Sequence, residues 1–74
     1  MSSVNKIVEK MKNQPHGIRL EEAEKVLAAH GYHYARRKGS HRSYINETGA
    51  VIVLIDPPTK AYIVDILTII GEKK

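Results

Sequence analysis

The stretch Tyr32-His33-Tyr34-Ala35-Arg36-Arg37-Lys38-Gly39-Ser40-His41-Arg42-Ser43-Tyr44-Ile45-Asn46, continued by Glu47-Thr48-Gly49-Ala50-Val51-Ile52-Val53-Leu54-Ile55, decides the fold. Its β-branched and aromatic content predicts three strands, at residues 32–37, 41–46 and 50–55. Lys38-Gly39-Ser40 and Glu47-Thr48-Gly49 separate them, and connections this short join neighbouring strands as antiparallel hairpins. The expected sheet is therefore a meander. Side chains alternate along a strand, so Tyr44 points opposite to His41 and Ser43. With Tyr44 in the core, His41 projects from the open face.

Outward from this segment the pattern is helical. Upstream, Leu20, Ala23, Val26, Leu27 and His30 share one side of a helix over 20–30, with Glu21, Glu22 and Glu24 near its positive end and Gly31 just past its C-terminus. Further upstream, Val4, Ile7, Val8 and Met11 mark another amphipathic helix ending near Asn13, with Ser2 or Ser3 as its cap. Residues 13–17 supply a turn, in which Pro15 blocks the helix and Gly17 admits a positive φ. Downstream, Asp56-Pro57-Pro58-Thr59 stops the third strand, a last helix covers 61–70, and Gly71 precedes a solvated Glu72-Lys73-Lys74 tail. The order helix, helix, three strands, helix predicts an α+β fold with the helices on one face of a three-stranded antiparallel sheet. Residues 1–17 read as an N-terminal helical extension and 18–74 as the main domain of one compact unit.

Seventy-four residues, 42% of them hydrophobic and 27% charged, suit one small folded domain without a deep internal pocket. The absence of cysteine excludes disulfide scaffolds and thiol nucleophiles. The first residues lack the apolar stretch of a signal peptide and no run approaches a membrane span, so a cytoplasmic location without membrane contact is expected. The net charge is +4, and its position is informative. Arg36, Arg37, Lys38 and Arg42 fall in an acid-free stretch from Lys25 to Asn46, and outside that cluster basic and acidic residues balance. A local patch of one sign is the footprint expected for a polyanion or an acidic protein surface.

Gly31-Tyr32, then Arg37-Lys38-Gly39-Ser40-His41, then Thr48-Gly49 ahead of an apolar strand, resemble the HicA (YcfA-like) toxin family over residues 18–71. The resemblance implies a double-stranded-RNA-binding-domain-like fold, an mRNA interferase that arrests translation, and neutralisation by a HicB-type antitoxin. It also implies that the catalytic histidine is His41 and that the family's Gly-Ser turn is Gly39-Ser40. The connection Asp56-Pro57-Pro58-Thr59-Lys60-Ala61 departs from the family pattern, in which this segment is more polar or basic; here only Lys60 is positive.

The chemistry of the residues is compatible with that implication. RNA carries its own nucleophile, the 2′-hydroxyl, so an enzyme need supply only proton transfer and charge stabilisation, without a metal or other cofactor. Histidine suits proton transfer at neutral pH, which makes His41 a candidate base or acid. Arg36, Arg37, Lys38, Arg42 and the Gly39-Ser40 turn are candidate phosphate contacts. The same patch also fits a noncatalytic RNA-binding module, or a structural partner that binds an acidic protein. His30, His33 and His41 lack the cysteine or carboxylate that usually completes a metal site, and His30 is better placed to interact with the end of its helix. The tyrosines are read first as core. In the last helix Tyr62, Ile63, Ile66, Leu67 and Ile70 form a stripe, while Val64 and Ile69 are apolar on the other side. A helix apolar nearly all round needs more than one cover. Tyr62, Ile63, Ile66, Ile69 and Ile70 are therefore candidate contacts to an antitoxin or to a second copy in a homodimer, unless the first helix covers them.

Overall fold

The computed structural model describes residues 3–71. Its elements are helix α1 (Ser3–Asn13), a single 3₁₀ turn (Pro15–Gly17), helix α2 (Leu20–Ala29), strands β1 (His33–Lys38), β2 (His41–Ile45) and β3 (Val51–Ile55), and helix α3 (Lys60–Ile69). Ser2 as a cap and the tail at 72–74 lie outside the described residues. The sheet is antiparallel in the order β1-β2-β3, as the meander requires. Helices pack on one face, and the fold is α+β of the double-stranded-RNA-binding-domain type with a helix added in front.

The core follows the periodicity. Val8 and Met11 from α1, Ala23, Val26 and Leu27 from α2, Tyr44 from β2, Ile52 and Leu54 from β3, and Ile63, Ile66 and Leu67 from α3 form one buried cluster. Each fully buried Leu or Ile in such a cluster contributes about 1.5–3 kcal/mol. The strands show the complementary period of two, since Val51 and Val53 are exposed while Ile52 and Leu54 are buried. Polar contacts tie α1 to α2. The Glu22 carboxylate accepts bonds from Lys10 Nζ at 3.0 and 3.1 Å and from the Arg19 backbone N–H at 2.9 Å. That backbone bond, with the Lys10 bond and charge added, holds the Glu22 carboxyl below its ordinary range despite some desolvation.

Three expectations change. Gly17 is not among the positive-φ glycines, because the 3₁₀ turn carries the chain from α1 towards α2 with ordinary dihedrals. β1 runs one residue further than expected, which shortens the first connection to Gly39-Ser40. Gly39 then holds φ 61° at the first central position, as a two-residue type II′ hairpin turn requires. Ile63 and Ile66, expected on a partner-facing surface, are fully buried within this chain's own core. Their cover is the sheet, α1 and α2, leaving Val64 and Ile69 as the exposed apolar residues of α3.

Candidate functional site

The site is built at the β1–β2 turn. Lys38 stands directly opposite His41 in the register and Arg36 opposite Ser43, so these four share the open face of the sheet. A β-bulge between Tyr34 and Arg36 produces this arrangement. Tyr34 pairs with Tyr44 on the core side, and the extra residue, Ala35, shifts the alternation by one so that Arg36 and Lys38 emerge on the side of His41. Nothing in the run His33-Tyr34-Ala35-Arg36 signals a bulge.

Two contacts brace the turn. The Asp56 backbone N–H donates to the Ser40 carbonyl at 2.8 Å, holding the Gly39-Ser40 connection against the end of β3. His41 is exposed, and its ring meets Tyr62 edge-on, with centroids 6.2 Å apart and planes at 61°. His41 thus stands at the end of the sheet, where the open face meets α3, rather than alone on a bare surface. Tyr62, expected to contact a partner, belongs to this site. Its neighbour in space is 21 positions away in sequence, a proximity that no local pattern encodes. Arg36, Arg37 and Lys38 are exposed, and among the described residues no carboxylate forms an ion pair with any of them.

Arg42 corrects the expected cluster. It points to the core side, where its guanidinium lies 3.9 Å from Glu24 Oε2 and 3.6 Å from Asp56 Oδ2, with its carbon 5.8 Å above the Tyr34 ring. Glu24 also accepts the Tyr44 hydroxyl hydrogen bond at 2.5 Å. Burial, reinforced by that bond and by the Glu24 charge, pushes the Tyr44 phenol well above its ordinary range. Arg42 is therefore held in an internal network and is not a free phosphate contact. Arg37 sits opposite it on the same side, so only Arg36 and Lys38 of the four cations accompany His41 on its face. The histidines do not converge: His30 caps α2 through a 2.9 Å contact from Nδ1 to the Val26 carbonyl, and His33 lies opposite Ile45 at the far end of the strand pair. Among the described residues no three metal-ligating side chains come together.

The fold and this turn define a small α+β protein of the double-stranded-RNA-binding-domain class, with an exposed imidazole beside exposed cations that have no carboxylate partner among the described residues. The family described as HicA toxin of bacterial toxin-antitoxin matches residues 20–63, which run from the start of α2 through the whole sheet into α3. The match takes in more than half of the chain, and the chain belongs to the HicA toxin family. It is accordingly a toxin of a toxin–antitoxin system. No curated protein and no solved structure matches it. Among the described residues no helix is long and apolar enough to cross a membrane.

Proposed function

We propose that this toxin is a metal-independent endoribonuclease that cleaves mRNA, with His41 as its proton-transferring residue. The observation that carries this reading is the exposed His41 following the Gly39-Ser40 turn, with Lys38 directly across the strand pair and, among the described residues, no carboxylate paired with it. The imidazole accepts the proton of a ribose 2′-hydroxyl as the 2′-oxygen attacks the adjacent phosphorus. The bond from phosphorus to the 5′-oxygen breaks, and the leaving oxygen takes a proton from solvent. A 2′,3′-cyclic phosphate and a 5′-hydroxyl result. Lys38 and Arg36 stabilise the charge that develops on the phosphate oxygens, as preorganised cations do where charge grows in a transition state. Gly39 and Ser40 offer the close approach of a tight turn, and Tyr62 limits the orientations of the His41 ring.

On this reading residues 18–74 form the RNA-cleaving domain and 1–17 an N-terminal extension, whose helix α1 packs on it. A HicB-type antitoxin is the partner, in the cytoplasm, with Ile69 on the exposed side of α3 and the half-buried Ile70 just past it as its contacts. Purified toxin incubated with RNA in EDTA should yield fragments ending in cyclic phosphate, and DNA of the same sequence should stay intact because it lacks the 2′-hydroxyl. RNA that is bound but never cut would instead make the chain a noncatalytic RNA-binding module. His41→Ala that cleaves as fast as the wild type would remove His41 from the mechanism.

A further inference from the structure

The two edges of the sheet are built differently. β1 is protected, since it carries a bulge and the charges of Arg36, Arg37 and Lys38, devices that discourage pairing with another strand. β3 has neither. Its sequence Val51-Ile52-Val53-Leu54-Ile55 is free of charge, proline and glycine, and its pairing with β2 is regular throughout. A regularly paired, uncharged, apolar edge of this kind is a ready template for another strand.

The hydrogen-bond register shows which backbone groups are available. Asn46 N–H donates to the Ala50 carbonyl and Asp56 N–H to the Ser40 carbonyl. Hydrogen-bonded pairs alternate along an antiparallel ladder, so between these two limits Ile52 and Leu54 turn their backbone groups to β2. Val51, Val53 and Ile55 turn theirs outward. Among the described residues none of these three has a backbone partner outside the strand ladder.

We propose that β3 pairs with itself. Two copies of this chain join through antiparallel β3 strands about a two-fold axis at Val53, producing one six-stranded sheet. In this register Val51 bonds to Ile55 of the second copy, Val53 to Val53, and Ile55 to Val51. The six outward N–H groups meet the six outward carbonyls and none is left over. The axis also preserves the faces. Val51, Val53 and Ile55 remain beside one another on the open side, where β-branched residues pair favourably across strands, and Ile52 lies beside Leu54 on the core side. Because β3 has no charge, the pairing brings no like charges together, whereas the basic β1 edges end up at the two outer margins. At its Ile55 end this edge adjoins the nuclease turn, since Ile55 stands opposite His41 in the register, but the outward backbone groups of Val51, Val53 and Ile55 face away from β2. A single strand pair buries less than the roughly 1,200–2,000 Å² of a standard stable interface, so the dimer is concentration-dependent.

The test uses the full chain in sedimentation experiments over a concentration series. Wild-type toxin should shift from monomer towards twice the monomer mass as concentration rises. Val53→Lys and Val53→Glu each place like charges across the axis and should remain monomeric, while an equimolar mixture of the two variants should recover the dimer. The far-UV circular dichroism of each variant should match that of the wild type, because the Val53 side chain is already 37% exposed. In amide exchange, the Val51, Val53 and Ile55 N–H groups should gain protection with wild-type concentration. A wild type that remains monomeric throughout overturns the proposal, as does a dimer that survives both substitutions. Protection of these amides only on addition of an antitoxin chain to a monomeric toxin would assign the edge to that partner and overturn self-pairing.

Discussion

Neighbouring residues of β2 have opposite fates. His41 and Ser43 face the open side with Lys38 and Arg36, while Arg42 and Tyr44 face the helices. Arg42 shares its side with Glu24 and Asp56, which neutralise it, whereas the cations beside His41 have no such partner among the described residues. Four positive charges within seven positions of sequence therefore become different things in space. Arg42 is tied into the fold and Arg36 and Lys38 are left to bind beside His41, while Arg37, on the side of Arg42, stays exposed. A count of basic residues locates the region, but strand parity decides which of them can meet a ligand.

The strongest way to break this contrast is at His41. His41→Ala should lose RNA cleavage by about 10²–10⁴-fold, the usual contribution of a general acid or base, while its thermal unfolding stays near that of the wild type. Tyr44→Ala, on the other side of the same strand, should lower stability by about 3–5 kcal/mol through the cavity it leaves. Denaturant unfolding measures that loss, and an unfolding curve like the wild type's would contradict the packing described.

A sharper comparison sets Arg42 against Lys38. Arg42→Gln leaves Glu24 and Asp56 without their cation and should cost about 1–2 kcal/mol of stability, with the slope of log RNA affinity against log salt unchanged. Lys38→Gln should leave stability unchanged and reduce the slope of log affinity against log salt by about 0.7 if it meets one phosphate of a single strand. If the two variants exchanged effects, the assignment of faces would be reversed.

The smallest effects lie in pH. The Tyr44 phenol is raised in the folded state, so its contribution is fully present below the unfolded value near 10 and is lost as pH climbs above it. Tyr44→Phe should flatten the alkaline limb of the stability profile. The Glu22 carboxyl is lowered, so its contribution is present above its ordinary value of 4.5 and is lost as pH falls towards the folded value. Glu22→Gln should flatten the acid limb correspondingly, by less than about 1 kcal/mol because that ion pair is partly solvated.

Much of this was legible in the residues alone. The change from helical to two-fold periodicity at Gly31 marks the start of the sheet, and Gly39 and Gly49, both with positive φ, sit at the hairpin tips where short connections demand them. The opposition of Tyr44 and His41 follows from alternation alone. Three features were not legible because each depends on residues distant in sequence or on backbone irregularity. Arg42 meets Glu24 from α2 and Asp56 from beyond β3; Tyr62 reaches His41 from α3; and the bulge at Ala35 has no glycine or proline to announce it. The last helix taught a further lesson. Its nearly continuous apolar surface suggested an absent protein partner, yet much of it is covered by the chain's own sheet and helices, α1 included, and only Val64 and Ile69 remain bare.

The bulge has an evolutionary reading. Ala35 is the surplus residue of its strand, so a codon lost there leaves Tyr34, Arg36, Arg37 and Lys38 on the sides they already occupy. A deletion inside a strand ordinarily scrambles everything beyond it, but this one is silent for the surface around the imidazole. Lineages descended from a common ancestor can therefore differ in length at this point while presenting the same chemistry to RNA, and a gap in their alignment there would mark tolerance rather than divergence.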